Sequence, residues 1–323
     1  MHGNENHIDE ISTEFFKVDK ETLSLIIDGL KKFPFKNVCD FDPVRVARET
    51  LNPQKGLNQA NVLMKYTALT NKKVLEIGSG YGMNFIVWTK SFSIDGYGLE
   101  PDSVGFESSF KMSRKLVKYN GIDELRIINA VGEAIPFADD LFDIVYSTNA
   151  LEHTSDPLKV LYEAIRVLKP GGILQIIYPN YHSYFDGHYN IIHPPIITNT
   201  FFQWYVKNIF NRDPEFAKTL RTELNVMWTK RSLDILKHTY EYEVLTLGKE
   251  TFLQRITSLD FDTTGNLLKI KSLLEAIKIL KLNILIGKMM ILLSAWSPII
   301  LTLRKKGAIV EAGKHSGCDC RFN

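Results

Sequence analysis

The stretch V-L-E-I-G-S-G-Y-G over residues 74–82 decides how this chain folds. An apolar, β-prone run ends there in three glycines spaced two residues apart, Gly78, Gly80 and Gly82, and an amphipathic run that includes Phe85 follows directly. The pattern predicts a strand, a tight turn and a helix, because glycine adopts positive φ and lets a ligand approach the backbone. The start of the helix would point unpaired N–H groups at that ligand.

The residues around these glycines exclude two common phosphate-binding loops. A dinucleotide fingerprint would need a glycine where Met83 stands, and a P-loop would need Gly-Lys-Ser/Thr, which is absent. Glu76 stands two residues before the first glycine. Its carboxylate would repel a pyrophosphate, so the loop suits a ligand that carries a positive charge.

The loop resembles the first motif, E/D-x-G-x-G-x-G, of the class I S-adenosylmethionine (SAM) dependent methyltransferases. V-G-E-A-I-P-F at 131–137 and L-K-P-G-G-I-L at 168–174 resemble later motifs of that family, in the same order. P-N-Y-H-S-Y-F-D-G-H-Y at 179–189 is similar to a segment of bacterial surface-glycan methyltransferases of the type 11-like group. The resemblance implies an α/β fold: a Rossmann-like, doubly wound, seven-stranded sheet with an antiparallel last strand.

The resemblance also implies that SAM is the cofactor. Glu100 follows the second predicted strand, Ile94–Leu99, about 20 residues after the glycines. A carboxylate at that position can accept hydrogen bonds from a ribose diol. Val131 stands where many family members carry Asp, so backbone groups of Val131 and Gly132, or the Glu133 side chain, would contact the adenine. The expected SAM-binding residues are Glu76, Gly78, Ser79, Gly80, Gly82, Glu100, Pro101, Val131, Gly132, Glu133 and Asn149.

Two histidines are candidate catalytic bases. A sulfonium methyl group is already activated, so the protein mainly aligns the acceptor, although a hydroxyl acceptor must also lose its proton. His153 follows the fourth predicted strand at the ligand-binding edge of the sheet and titrates near neutrality, and His188 is the second candidate. A packing role for His153 at a helix start is the alternative interpretation.

Aromatic residues crowd together after the fifth predicted strand. Flat rings with polar tips suit a hydroxylated sugar ring or a flat aromatic acceptor, and a loop that packs on itself is the alternative. The histidine spacing fits no helical pair and Asp186 is the only nearby acid in this segment, so no metal site is expected. The predicted acceptor-binding residues are Tyr178, Tyr181, Tyr184 and Asp186.

A hydrophobic, basic segment interrupts the family pattern near the C-terminus. Glu243–Leu247 and Gly307–Ala312 are the predicted sixth and seventh strands, and about sixty residues separate them where a hairpin needs only a few. Asn283–Leu303 is almost wholly apolar and, as a helix, would be about 30 Å long, close to the thickness of a bilayer core. If this helix crossed the membrane, the seventh strand would lie on the side of the membrane opposite the rest of the sheet. We therefore expect residues 269–306 to dip into, or lie on, an anionic membrane surface, with a buried cap or a dimer face as the alternative.

Composition limits the other classes. The 39 basic and 37 acidic residues give a net charge of +2, which does not indicate a nucleic-acid partner. The three cysteines form no disulfide framework and no signal peptide is visible, so we expect a cytoplasmic protein, peripheral at the inner face of the cell membrane. The predicted domains are an N-terminal helical cap (1–70), a SAM-binding core (71–250) that includes an aromatic substrate segment (179–228), the hydrophobic insert (251–306), and the last strand with a tail (307–323).

These features predict a SAM-dependent methyltransferase that O-methylates a glycan or a lipid-linked sugar at the membrane surface. The alternative is a methyltransferase that acts on a quinone or another small lipophilic molecule. An alternative of another class is a non-catalytic, membrane-associated scaffold with a SAM-binding fold. The intact glycine motif and Glu100 argue against the scaffold.

Overall fold

The computed structural model of the protein describes residues 11–32, 42–102, 109–195, 198–258 and 281–308. In chain order, the strands are β1 (Ile11–Ser12), β2 (Lys17–Val18), β3 (Lys73–Ile77), β4 (Asp95–Leu99), β5 (Ile127–Ile128), β6 (Phe142–Thr148), β7 (Leu168–Tyr178), β8 (Phe185–Asp186), β9 (Ile191–Ile192), β10 (Tyr240–Thr246) and β11 (Ile299–Ala308). The α-helices are α1 (Lys20–Lys32), α2 (Pro43–Thr50), α3 (Pro53–Leu63), α4 (Met83–Phe92), α5 (Ser109–Tyr119), α6 (Pro157–Arg166), α7 (Asn199–Phe210), α8 (Glu215–Thr219), α9 (Val226–Leu236), α10 (Lys249–Ser258) and α11 (Leu282–Leu292).

Seven of these strands form one central sheet in the order β10-β11-β7-β6-β3-β4-β5. Strands β3 to β7 are parallel, whereas β11 is antiparallel to both of its neighbours, β7 and β10. The predicted Rossmann-like α/β sheet with an antiparallel last strand is therefore confirmed. Because β10 is parallel to β7, all six parallel strands end at one edge, here called the carboxyl edge, where open α/β sheets bind ligands.

Helices pack on both faces of this sheet. On one face Val160 of α6 is buried against the strands, and on the other Trp88 of α4 is buried and donates its indole N–H to the carbonyl of Gly56 in α3 at 2.8 Å. Asp156 and Pro157 begin α6 as their sequence predicts, since Oδ1 of Asp156 accepts from the Lys159 N–H at 3.1 Å. The hydrogen bond from Trp88 to Gly56 joins the N-terminal helix α3 to α4, the helix that follows the glycines.

The last strand of the sheet lies earlier in the chain than predicted. The apolar run 283–303 is not one helix but is divided between α11, a turn, and β11, which begins at Ile299. The prediction failed because β11 inserts between two strands and is buried on both faces, and a continuous apolar run of that kind cannot be distinguished from a helix by its periodicity. The boundary drawn between 306 and 307 was therefore wrong, and 309–312 of the predicted strand lie outside the described residues.

The described part of the insert is a short helix followed by this strand. Within the ranges that the structure describes, no helix is both long enough and apolar enough to cross a bilayer. Residues 269–280 of the segment predicted to contact a membrane lie outside the described residues. Because β10 ends at the carboxyl edge and β11 starts there, opposite Tyr178, the elements between them lie beside the ligand-binding edge.

Candidate active site

The glycine turn, residues 78–82, leads from β3 into α4 at the carboxyl edge. Gly78, Gly80 and Gly82 have φ of 71°, 54° and 74°, a region that glycine adopts without strain. A Cβ on Gly78 would lie 2.4 Å from the Cβ of Ala150, whereas one on Gly80 would meet nothing within 4 Å. The turn is thus closed on the side of Ala150 and open at Gly80, where a ligand can reach the backbone.

Glu76 is buried below this turn. Its Oε1 accepts a hydrogen bond from Nδ2 of Asn84 at 2.9 Å, and its Oε2 has no hydrogen-bond partner. Burial raises the pKa of Glu76 to about 8, and the nearby charge of Glu100 adds to that shift. A buried carboxylate oxygen without a partner is rare in native proteins, so a cationic ligand group would supply what this one lacks.

Glu100 faces the glycine turn from the end of β4. Its Oε2 accepts from the Gly80 N–H at 2.7 Å, and its Oε1 accepts from the Ser109 hydroxyl at 2.6 Å. Burial raises its pKa. Each carboxylate oxygen has a second lone pair, so Glu100 can also accept from a ligand diol. Pro101 follows at the same edge and is partly buried.

The remaining predicted SAM residues lie at the ends of β5 and β6. Val131 is 45% exposed, and Gly132 packs where a Cβ would lie 3.0 Å from Cγ2 of Ile77. The side chain of Glu133 is engaged elsewhere, because its Oε1 accepts from the N–H and the hydroxyl of Ser155 at the start of α6. Asn149 is exposed, and its N–H donates to the carbonyl of Ile177 at 2.9 Å. Ser79 is buried, and its Oγ has no hydrogen-bond partner.

A second polar group, the histidine cluster of Glu152, His153 and His188, lies at the same edge. Glu152 is fully buried, and neither of its carboxylate oxygens has a hydrogen-bond partner. One oxygen of Glu152 and a ring nitrogen from each histidine lie within 4.8 Å of one another. Sequence reasoning named both histidines but missed Glu152, although its position next to His153 after β6 was an available signal.

The two histidines differ in their surroundings. Burial, together with the neighbouring His188, lowers the pKa of His153 to about 4. Burial alone would also lower the pKa of His188, but its hydrogen bond to Asp186 and the charges of Asp186 and Glu152 outweigh this effect and raise it. Burial raises the pKa of Glu152 to about 7. The cluster therefore brings together one basic and one weakly basic imidazole around a carboxylate.

The four predicted acceptor-binding residues lie in different environments. Tyr178 is fully buried with its hydroxyl 2.6 Å from Oγ1 of Thr229, and Tyr181 is 2% exposed. Asp186 is buried as well, and its Oδ1 accepts from the Tyr189 N–H at 2.6 Å. Tyr184 is 39% exposed. Of these four side chains, only the ring of Tyr184 is presented to solvent.

A cavity of about 360 Å³ lies beside the histidine cluster. It is lined by an indole, Trp228, and by polar side chains that include Thr222, Glu223 and Asn225. The residue before Thr222, Arg221, donates its backbone N–H to the carbonyl of Glu152 at 3.1 Å, which places this wall next to the cluster. Sequence reasoning did not identify this cavity, because its lining comes from three separated segments.

A family model described as a methyltransferase domain matches residues 75–176, the part of the chain that holds the glycine turn and the histidine-cluster residue Glu152. Residues 75–176 of this chain are a methyltransferase domain. The predicted family membership is thus confirmed, and SAM is the cofactor of this family.

Several curated relatives are also methyltransferases. An uncharacterized methyltransferase from Mycobacterium sp. (strain KMS) is 29% identical over 181 residues, which are 55% of this chain and 65% of the relative. A sarcosine/dimethylglycine N-methyltransferase from Halorhodospira halochloris is 33% identical over 101 residues, 31% of this chain and 34% of that protein. The chain thus spans 65% of the length of the first of these relatives.

Solved structures are more distant. The YcgJ protein from Bacillus subtilis aligns with a TM-score of 0.41 and 14% identity, and the alignment covers 78% of this chain and 96% of that one. The fold assignment therefore depends on the strand order and direction described above.

Three features near the glycine turn match the groups of SAM. Glu76 has a buried, unpartnered carboxylate oxygen that a cationic group would satisfy, and the backbone at Gly80 is open to a ligand. Glu100 has lone pairs available for a ribose diol beside that opening. On these observations the glycine turn fits SAM.

Proposed function

We propose that this protein is a SAM-dependent methyltransferase that transfers a methyl group to a hydroxyl group of a sugar, on a glycan or a lipid-linked sugar. The observation on which the proposal depends is the unpartnered carboxylate oxygen of Glu76 beneath the open backbone at Gly80. Bound SAM supplies an electrophilic methyl group. The protein's own task is to hold the acceptor in line with that group and to remove the acceptor's proton.

The SAM-binding roles follow from the position of each residue. Glu76 stabilises the positive charge of the cofactor, and Glu100 accepts hydrogen bonds from its ribose. Backbone groups of Val131 and Gly132 border the adenine, since the carboxylate of Glu133 already binds Ser155. The residues proposed to line the same site are Ser79, Pro101 and Asn149.

The acceptor's proton is removed at His153 and His188. Asp186 lies 3.4 Å from Nδ1 of His188 and holds that nitrogen as a donor, so Nε2 faces the cluster. The loop of His153 contacts the glycine turn through Ala150, which brings the cluster close to the cofactor site. This arrangement favours His188 over His153 as the residue that handles the proton.

The cavity next to the cluster supports a sugar acceptor. Trp228 offers a flat face and Asn225, Glu223 and Arg231 offer hydrogen-bonding groups, a combination that suits a polyhydroxylated ring. The exposed ring of Tyr184 is proposed as a further acceptor contact.

Helix α11 supports contact with a membrane surface. Its apolar side chains Leu285, Met289 and Leu292 are 63%, 52% and 83% exposed, and Lys288 lies among them. In the chain, α11 comes after β10 and just before β11, and it therefore lies beside the carboxyl edge. We therefore propose that α11 lies on anionic lipid headgroups and brings the site to a lipid-linked acceptor.

Calorimetry with SAM and with its demethylated product tests the cofactor assignment. We expect one site per chain and at least tenfold weaker SAM binding in Glu76→Gln, because the charge that stabilises the cation is removed. Glu21→Gln is the control, since the Glu21 side chain is 79% exposed and far along the chain. Folded wild-type protein that binds neither compound would refute the proposal.

Methyl-labelled SAM tests the acceptor class. Label is expected in a lipid-linked oligosaccharide fraction or a free oligosaccharide fraction. Label in an added quinone would establish the lipophilic alternative instead, and SAM binding without transfer to any fraction would favour the scaffold.

Flotation with vesicles tests the membrane contact. We expect the protein to float with vesicles that contain phosphatidylglycerol and to remain unbound with neutral phosphatidylcholine vesicles. The double variant Leu285→Glu, Leu292→Glu should lose flotation, while Leu125→Glu, at a residue that is 66% exposed elsewhere, should keep it. Equal flotation of the two variants would contradict the contact.

A further inference from the structure

We infer that Glu152, His153 and His188 form a binding site for a divalent transition-metal cation. The cluster places one carboxylate oxygen and two imidazole nitrogens within 4.8 Å of one another. Two nitrogen ligands and one oxygen ligand suit Zn²⁺, Mn²⁺ or Fe²⁺, and three protein ligands leave open positions for a water or a substrate oxygen.

Glu152 gives the first argument for a cation. Its side chain is fully buried, yet both carboxylate oxygens lack any hydrogen-bond donor. Burying such a group without partners is costly, so native proteins pair it or use it to coordinate a metal. Oε1 of Glu152 lies 4.0 Å from Nε2 of His188, which is too long for a hydrogen bond and about twice the usual distance between a metal ion and its ligand atom.

Asp186 gives the second argument. Its Oδ1 is fixed by the Tyr189 N–H at 2.6 Å, and its Oδ2 lies 3.4 Å from Nδ1 of His188. Because a carboxylate only accepts, this contact makes Nδ1 the donor and leaves the lone pair of Nε2 directed toward Glu152. A carboxylate behind the far nitrogen of a metal-binding histidine is the usual supporting arrangement in metal sites.

The fold assembles this site from three segments of the chain. Glu152 and His153 belong to a short 3₁₀ helix after β6, while His188 and Asp186 come from the segment after β7. The backbone carbonyl of Glu152 is held by the Arg221 N–H, so the helix position is fixed from a third segment. Both histidines remain partly accessible, which gives an ion a path to the cluster.

The consequence for catalysis rests on the proposed function. An acceptor hydroxyl bound at an open position of the cation would lose its proton at a lower pH than a free hydroxyl, as metal-bound water does. The oxygen–hydrogen bond breaks, the proton leaves to solvent, and the resulting alkoxide stays bound to the cation. With the cation bound, His188 acts as a ligand in place of the base role given above, and Asp186 is a positioning residue.

Metal binding by the full-length protein tests the inference. After treatment with a chelator and its removal, Zn²⁺ is titrated in competition with a chromophoric chelator, and Co²⁺ binding is followed by its visible absorption. We expect one cation per chain in wild-type protein. Glu152→Gln and His188→Ala should bind at least tenfold more weakly, and Asp186→Asn about 10- to 100-fold more weakly. His238→Ala, at an exposed histidine, should match the wild type.

Two further measurements keep the outcomes distinct. Far-UV circular dichroism and the melting temperature establish that each variant is folded. Calorimetric titration with the demethylated product of SAM, with and without Zn²⁺, measures binding at the cofactor site separately. Folded wild-type protein that binds no more Zn²⁺ than Glu152→Gln overturns the metal site and leaves the proposed function intact. Zn²⁺ binding in a protein that binds no SAM would retain the metal site and refute the proposed function.

Discussion

The glycine turn and the histidine cluster both hold a buried carboxylate with an unpartnered oxygen, but they are built differently. Glu76 lies within a continuous motif, so backbone geometry shapes the space above it. Glu152 depends on His188, which comes from another segment and is oriented by Asp186. A site made from contiguous backbone can be identified in the sequence, whereas a site made from distant side chains becomes visible only after folding.

The first expected effect tests whether the glycine turn depends on its backbone. Gly78→Ala should lower the free energy of unfolding by about 3 kcal/mol, because it combines positive φ with a clash against Ala150. Gly80→Ala and Gly121→Ala have positive φ and no neighbour within 4 Å, so each should lose only about 1–2 kcal/mol. Chemical denaturation measures all three.

The same variants separate stability from binding. Gly80→Ala should weaken SAM binding at least tenfold, while the matched Gly121→Ala should not change it, since Gly121 is remote from the carboxyl edge. Neither variant should alter Zn²⁺ binding. If Gly80→Ala bound SAM as tightly as wild type, the open backbone at that position would not be the ligand site.

The second effect uses the raised pKa of Glu76. Burial holds the pKa of Glu76 at about 8 in the folded protein, whereas the unfolded chain releases this proton near pH 4.5. The unfolded state therefore gains free energy as pH rises through this window, by about 1.4 kcal/mol per unit, and the ligand-free protein is destabilised. Glu76→Gln should remove this loss and be more stable than wild type at pH 9. Denaturation at pH 5 and pH 9 measures the difference, and equal pH profiles would contradict it.

The third effect is the number of protons that the protein releases when SAM binds. If a cation pairs with Glu76, SAM binding near pH 7 should release about one proton from that carboxyl group. Calorimetry in buffers with different ionisation enthalpies measures the release. Glu76→Gln should abolish it, whereas Glu152→Gln should leave it unchanged. Loss of the proton in the Glu152 variant would show that the two sites titrate together.

The smallest effect concerns Glu133, which sequence reasoning placed at the adenine. Because its carboxylate holds Ser155 at the start of α6, Glu133→Ala should lower stability by about 1 kcal/mol. SAM affinity should change less than twofold. A large loss of SAM affinity without a loss of stability would instead indicate that Glu133 contacts the cofactor.

Much of the fold could be predicted from the sequence. The glycine turn could be predicted because a backbone with positive φ favours glycine. Glu100 could be placed because the number of residues from the glycine motif to the end of the next strand varies little in doubly wound sheets. The strand starting at Ile299 was missed because burial on both faces removes the alternation that marks a strand. The aromatic composition predicts Tyr178 as an acceptor contact, although its ring is fully buried, because composition does not distinguish an exposed ring from a buried one.

The site was predicted unevenly for the same reason. His153 and His188 were named from their positions after strands, but their separation in the chain hid the fact that they meet Glu152. The cavity with Trp228 depends on the packing of segments that have no shared motif. Long-range side-chain contacts are set by the packing of whole elements, and local patterns contain little information about them.

The position of β11 has a consequence for how the chain folds during synthesis. Strand β10 leaves the ribosome first, but its only partner within the described sheet is β11, which follows it in the chain and separates it from β7. Until β11 emerges, the N–H and C=O groups along β7 have no partner on that side, and β10 has no place in the sheet. The outer third of the sheet therefore closes late, and the nascent protein would be most prone to aggregate in that interval.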